Sequence, residues 1–420
     1  MVNYMIDKIT IIYASDEDFL PQTYVSIYSV LKARQCKCWF DFYILVPAGT
    51  NKMFYDKQWD FLDYEIHYVE IDNNLFSDEE MRIAHITKPT YYRLLIPRLF
   101  PDVDKCIYLD GDTICKSDII ELYEEDIENY YLGGCKWETM NLSQEQLCSI
   151  AQRLNVFSAD EYINAGILLL NLTKLREIQE ILLLECKKGY DLQDQDVINK
   201  CCYGKIKILH MKYNVCSYAY NMKKKNQLFM NDNEVVDEAL SDPCIIHLVS
   251  EYAKPWRNDK CIFYDEWWNI AEDALPSDII FRLKSETQKT MKDFSHEELF
   301  KKIHNAKSIV IFGFSKVGFE FEKMICQKFG KEKIKCFCDN DAEKWNKEKD
   351  GYRVCRPEEL LKFRDNCFIV VTSQRYFMTI INQLLDMGIS RDTIGVYRKE
   401  SDSYYFCLNE ELFDAISIPN

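Results

Sequence analysis

Cys106-Ile107-Tyr108-Leu109-Asp110-Gly111-Asp112 is the stretch that decides the fold class. Four mostly apolar residues read as a buried strand, and the strand ends in two carboxylates at i and i+2 across a glycine. Such a pair can turn toward one point and offer oxygen ligands to a hard divalent cation that also grips a diphosphate. The bland reading is a tight turn with two solvated acids, in a chain that carries 68 Asp and Glu. A buried strand that delivers polar groups at its end is the habit of an α/β domain, and the alternation continues on both sides. Strands are predicted over 9–14, 40–46, 65–71, 105–109, 131–135, 163–171, 205–210 and 244–249. Apolar helical patterns lie between them at 25–31, 91–99 and 175–186.

At 420 residues the chain exceeds one ordinary core. The expected organisation is an α/β domain over 1–270, a charged helical linker over 271–306, a small Rossmann-like α/β domain over 307–400 and a tail over 401–420. Hydrophobic residues at 47% and charged residues at 29% describe a folded protein. A net charge of −16 argues against nucleic acid or anionic lipid as a partner, because phosphates would be repelled. The 18 cysteines are scattered, many in apolar runs such as those at Cys106 and Cys244, which reads as reduced thiols in a cytosol. Cys36/Cys38, Cys201/Cys202 and Cys336/Cys338 sit too close together for a zinc site. The first strand begins near Lys8, leaving no room for a signal peptide, and no apolar run approaches the ~18 residues that span a bilayer. The expectation is a cytoplasmic protein without a transmembrane segment.

Three further stretches carry chemistry. His247 follows Cys244-Ile245-Ile246 and precedes Lys254-Pro255-Trp256; a histidine there is usually a core residue, yet an imidazole could complete a carboxylate metal site. Asp194-Gln195-Asp196 opens a helix at Val197, where acids commonly serve as caps, or alternatively read sugar hydroxyls. Asn164-Ala165-Gly166 begins a buried strand, the mark of close ligand approach or of a bulge.

Taken in order from Ile9 to Trp256, these stretches resemble family-8 glycosyltransferases, the retaining group that includes bacterial lipo-oligosaccharide galactosyltransferases and glycogenin. The resemblance implies a GT-A type nucleotide-diphospho-sugar transferase fold with a mostly parallel central sheet. By it, Ala14-Ser15-Asp16 resembles the motif holding the nucleoside, with Phe19 able to stack on the base. Tyr92-Arg93-Leu94 resembles the helix whose arginine contacts the donor, and Asp110-Gly111-Asp112 the metal motif. Asn164 and Ala165 are similar to residues facing the transferred sugar, and Asp194 and Gln195 to the catalytic pair beneath the ring. His247 resembles the last metal ligand and Lys254 the diphosphate-binding lysine. Implied with them are Mn²⁺ (or Mg²⁺) on Asp110, Asp112 and His247, a UDP-sugar donor of galactose or glucose, and a saccharide acceptor, a bacterial cell-surface glycan by family. Any contact with the inner membrane face would come through that acceptor. Gln195 is a poor nucleophile, so front-side attack by the acceptor, with Gln195 and Asp194 positioning the sugar, is the expected route. The chain departs from the family at Ser250, where glycine is usual, in one extra residue before Lys254, and at Asp18-Phe19; Glu138 is the candidate for a further acid. Ser250 and the extra residue support the alternative of a catalytically silent sugar-nucleotide-binding scaffold, against which the intact Asp110, Asp112, His247 and Gln195 stand.

Gly313-Phe314-Ser315-Lys316-Val317-Gly318, with Asp339 ending the next strand, imitates a dinucleotide fingerprint. Ser315 stands where glycine normally admits the pyrophosphate. The stretch resembles small Rossmann-like modules appended to bacterial sugar-transfer enzymes, and a scaffold, acceptor-docking or oligomerisation role is favoured over NAD(P) binding. A nucleotide-sugar dehydrogenase or epimerase would need a Tyr-x-x-x-Lys pair that this unit lacks.

Overall fold

A computed structural model describes residues 8–72, 75, 88–137, 144–190, 192–224, 233–249, 254–259, 261–293, 296–363, 367–373 and 376–397. Glu138, Ser250 and the tail 401–420 lie outside these residues. The chain divides into two compact units between Leu283 and Lys284, inside the stretch read above as a linker. Ala274, Leu275 and Leu283 belong to the core of the first unit, and Leu299 and Ile303 to that of the second.

The first unit is built on β1 (Lys8–Ala14), β2 (Trp39–Pro47), β3 (Tyr64–Ile71), β4 (Lys105–Leu109), β5 (Thr113–Cys115), β6 (Leu132–Lys136), β7 (Ile163–Asn171), β8 (Ile206–Leu209), β9 (Val215–Cys216) and β10 (Ile245–His247). Seven of these form a sheet in the order β3-β2-β1-β4-β7-β6-β8, parallel except where β7 runs against β4 and β6. The central strands are apolar on both faces because helices cover both, so Ile9, Ile11, Ile12 and Tyr13 are all fully buried. Helix α1 (Leu20–Ala33) returns the chain from β1 to β2 and buries Leu20, Tyr24, Ile27 and Leu31 beneath the sheet. The helix predicted over 91–99 is broken into α-turns at Pro89–Tyr92 and Ile96–Leu99 around a 3₁₀ turn at Arg93–Leu95. Pro97 has no N–H to return to the Arg93 carbonyl, so the helix cannot run through. The strand expected at 244–249 does not join the central sheet. It pairs as β10 with two strands the sequence reading missed, antiparallel to β5 and parallel to β9.

A helix read as a closing segment, α2 (Tyr264–Ala274), seals this unit with Trp267 and Trp268, which stand 4.9 Å apart at an interplanar angle of 89°. Trp267 is fully buried, and a side chain of that size contributes about 2–3 kcal/mol by leaving water.

The second unit carries β11 (Ser308–Phe312), β12 (Ile334–Cys338), β13 (Glu348–Lys349), β14 (Tyr352–Cys355), β15 (Cys367–Val371) and β16 (Ile394–Val396) in the order β13-β14-β12-β11-β15-β16. Helix α3 (Lys316–Phe329) leaves β11 through Gly313, whose φ of +130° only glycine adopts readily, and is capped by the Ser315 hydroxyl on Gly318 N–H. A Cβ on Gly318 would lie 2.0 Å from the Gly313 carbonyl oxygen, so helix and strand touch backbone to backbone. Gly318→Ala is therefore expected to cost about 2 kcal/mol or more, read as a lower urea midpoint for this unit in near-UV circular dichroism. Asp339, the acid of the apparent fingerprint, accepts the Phe314 N–H at 2.7 Å and so closes the turn itself.

Candidate active site

Strand β1 runs beside β4 with Ile12 opposite Tyr108, so Ala14-Ser15-Asp16 and Asp110-Gly111-Asp112 leave the sheet at one edge. The Asp110 N–H donates to the Gly166 carbonyl at 2.7 Å, tying this turn to β7. The chain then enters β5, and Thr113 pairs with His247 on β10. Leu248 N–H donates to the Asp112 carbonyl at 2.9 Å, locking the two segments together. This is why residues separated by more than a hundred positions meet.

The ligand atoms of Asp110, Asp112 and His247 all lie within 4.8 Å of one another. His247 Nε2 is 3.3 Å from Asp112 Oδ1 and 3.7 Å from Asp110 Oδ2. Lys254 Nζ donates to Asp112 Oδ2. Burial works against the charged form of Asp112, yet Lys254 and His247 hold its pKa well below the usual carboxylate range. Burial alone would lower the His247 pKa, but the Asp112 carboxylate lifts it to about 10. Two carboxylates and an imidazole suit Mn²⁺ or Mg²⁺. The room for them is held open by Gly166, where a Cβ would come within 2.1 Å of His247 Cε1 and 2.8 Å of Asp110 Oδ2. The residues present fit the ion. The glycine between the two acids is needed for another reason than turn geometry: a Cβ on Gly111 would stand 2.5 Å from Thr23 Oγ1 and 3.1 Å from Phe19 Cε1.

Arg93 is buried, and its guanidinium is occupied within the site. Its Nε reaches Asp194 at 3.0 Å and Thr90 O at 3.1 Å, one terminal nitrogen reaches Asp110 at 2.8 Å, and the other donates to the Ala165 carbonyl. It packs over the Tyr108 ring at 4.5 Å, and the Tyr108 hydroxyl donates to Asp110 Oδ1 at 2.9 Å. One cation thus serves two carboxylates. Burial raises the Asp194 pKa to about 6, against the lowering pull of Arg93.

Gln195 faces β7. Its Oε1 accepts from Ala165 N–H at 3.1 Å and Asn164 Nδ2 at 3.2 Å, while its Nε2 donates to the Tyr162 hydroxyl at 3.2 Å. Asp196, fully buried, performs the capping role, accepting from Leu192 N–H at 3.0 Å, from Arg153 at 3.0 Å and from Tyr162 at 2.7 Å. Gln193, beside Asp194, sits at φ +50°, and its buried amide has no hydrogen-bond partner among the described residues. Asp16 accepts the Phe19 N–H at 3.0 Å and shapes the entry to α1. Phe19 meets Trp256 edge-on at 5.7 Å, and Lys254 Nζ lies 5.7 and 5.6 Å from the centres of those two rings. Trp256 in turn packs on Trp267 at 4.9 Å, and Trp268 Nε1 donates to the Pro255 carbonyl at 3.2 Å. The closing helix therefore holds the segment that carries Lys254.

The expected residues Ala14, Asp16, Phe19, Arg93, Asp110, Gly111, Asp112, Asn164, Ala165, Asp194, Gln195, His247 and Lys254 thus lie on elements that converge at one end of the sheet. Sequence reading missed Tyr108, Tyr162 and Asn214. Tyr162 directly precedes the Ile163-Asn164 stretch, whereas Asn214, a lone amide between Tyr213 and Val215, carries no distinguishing signal in the sequence. A second carboxylate–imidazole group, Asp41, Glu65 and His67, has Lys8 and the Trp39 indole N–H already on Asp41.

Comparison with known proteins gives the family and the fold. A family profile described as Glycosyl transferase family 8 matches residues 10–260, and one described as C2185-like, N-terminal matches 305–395. General stress protein A of Bacillus subtilis is 28% identical over 214 residues, 49% of this chain and 71% of that one. The lipopolysaccharide 1,2-glucosyltransferase of Escherichia coli K12 is 25% identical over 279 residues, 64% of this chain and 78% of that one. A Haemophilus influenzae protein with a glycosyltransferase name is 29% identical over 225 residues, and the match spans 66% of its length. The crystal structure of the galactosyltransferase LgtC with donor and acceptor sugar analogues superposes with a TM-score of 0.52 at 20% identity, covering 64% of this chain and 98% of that one, which shows a shared GT-A fold. No helix among the described residues is long and apolar enough to cross a membrane. With a profile match over residues 10–260 of 420, the chain belongs to glycosyl transferase family 8.

Proposed function

We propose that this chain transfers a hexosyl unit, galactose or glucose, from a UDP-sugar to a saccharide acceptor with retention, in a metal-dependent reaction. The observation that carries the reading is the convergence of Asp110, Asp112 and His247 within 4.8 Å beside Lys254. An ion held there would supply Lewis-acid stabilisation to the departing diphosphate. Lys254 adds a positive charge that needs no proton transfer, and its two aromatic neighbours keep it directed at the site. Arg93 fixes Asp110 against Asp194, so the metal side and the sugar side of the site keep one spacing. Gln195 is positioned to orient the sugar rather than attack it, since its carbonyl oxygen already takes two hydrogen bonds from β7. Ala14, Asp16 and Phe19 stand at the edge where a uridine would enter. Manganese or magnesium, uridine, a cell-surface glycan acceptor and a docking or oligomerisation role for the second unit are parts of this proposal. So is a cytoplasmic location, with any membrane contact made through the acceptor.

The test is hydrolysis of a panel of UDP- and GDP-sugars with Mn²⁺ and with EDTA. Slow release of UDP from one or two sugars, stopped by EDTA, is the expected result and names the donor. No turnover of any donor in either condition would instead leave a silent nucleotide-sugar-binding protein.

A further inference from the structure

Between the metal-ligand triad and the sugar-side amide lies a chain of buried amides that the reaction scheme above does not use. Asn164 Oδ1 accepts the Gly166 N–H at 2.9 Å, and this backbone donor fixes which end of the Asn164 side chain is oxygen. The same oxygen accepts from Asn214 Nδ2 at 2.9 Å, so the Asn214 carbonyl oxygen must face the other way. There it meets His247 Nδ1 at 3.1 Å. An oxygen acceptor at Nδ1 keeps a proton on that nitrogen, so Nε2, which faces Asp110 and Asp112, is the nitrogen that would give up its proton to an ion. On the far side, Asn164 Nδ2 donates to Gln195 Oε1 at 3.2 Å. Asn214, Asn164 and His247 expose 4%, 8% and 4% of their surfaces, so water does not compete for these bonds.

We infer that Asn214 is a positioning residue: it selects the metal-binding tautomer of His247 and, through Asn164, holds that imidazole in register with Gln195. The inference rests on the reading of Asp110, Asp112 and His247 as metal ligands. It makes two demands of one side chain, an acceptor toward His247 and a donor toward Asn164, and only an amide of this length meets both.

Two substitutions separate the demands. Asn214→Asp keeps an oxygen acceptor for His247 Nδ1 but turns an oxygen toward Asn164 Oδ1. Asn214→Leu removes both. Mn²⁺ affinity, measured from the electron paramagnetic resonance signal of free Mn²⁺, is expected to fall about 10–100-fold in Asn214→Leu and to stay within about threefold of wild type in Asn214→Asp. The kcat for donor hydrolysis should fall at least tenfold in both at saturating Mn²⁺, because the Gln195 side is released in both. Far-UV circular dichroism and thermal melting identify any variant that has not folded, and Asn214→Asp alone then decides through its split between metal affinity and kcat. Equal Mn²⁺ affinity in wild type and folded Asn214→Leu, or an unchanged kcat in Asn214→Asp, would overturn the inference while leaving the metal reading intact. Absence of Mn²⁺ binding in the wild type would overturn both.

Discussion

Asp112→Asn is expected to lower kcat/KM for the UDP-sugar roughly a thousandfold, about 4 kcal/mol of transition-state stabilisation, and to abolish measurable Mn²⁺ binding. The substitution is nearly isosteric, so packing around β5 is preserved while one oxygen ligand becomes an amide. Asp112 is the member on which the others depend, since it holds both Lys254 and His247. Removing its charge leaves the buried imidazole beside Asp110 and Cys216, without the carboxylate that offsets its burial most. A titration accompanies the kinetics. In wild type with EDTA, the His247 pKa of about 10 lies above its ordinary value of 6.5. The folded state therefore binds a proton more tightly, and the stability it confers is complete below about 6.5 and lost as the pH rises through about 10. Melting temperatures across that window should fall with pH in wild type and lose this slope in Asp112→Asn. A variant that keeps both its Mn²⁺ affinity and its slope would remove Asp112 from the site.

Gly166→Ala should be nearly as damaging, although it adds one methyl group and replaces no ionisable side chain. The backbone here is ordinary extended strand, so alanine brings no conformational strain; the cost is entirely spatial. A Cβ at this position would lie 2.1 Å from His247 Cε1 and 2.9 Å from its Nδ1, and 2.8 Å from Asp110 Oδ2. The imidazole is buried and held by Asn214 with little room to yield in place, so it must swing out of the triad. The expected outcome is Mn²⁺ affinity reduced about 100-fold and UDP release reduced by a similar factor, with stability down by about 1–3 kcal/mol. Calorimetric Mn²⁺ titration with a urea melt measures both. Unchanged affinity would mean that β7 and β10 separate freely and that the cradle is not rigid.

The central sheet was legible because its strands are buried on both faces and read as apolar runs; 105–109 and 163–171 match β4 and β7 residue for residue. The carboxylates and His247 were found through residue type and the apolar strands leading to them. Their convergence came from the family resemblance and not from the residue pattern, because it depends on β5 and β9. These strands of three and two residues carry almost no pattern and acquire their structure from pairing with β10. Arg93 was read as a donor contact; the structure adds that its guanidinium also binds Asp110, Asp194 and two carbonyls, partners that sequence spacing does not reveal. Asn214 escaped because one buried amide in an apolar run looks like any other until its partners are known. For Asp196 the plain capping reading describes the contact with Leu192.

The Trp256–Trp267 contact bears on how such chains are recombined. The lysine beside Asp112 is carried by a segment whose anchor comes from the helix that follows it, so the sugar-transfer cassette extends past the last recognisable motif. A gene fusion joined just after Trp256 would keep every signature residue and discard Trp267, Trp268, Ala271 and Ala274, all buried. Its product would present a complete motif set on an open core. Crossovers placed beyond Leu283 would exchange the appended unit and keep that core whole.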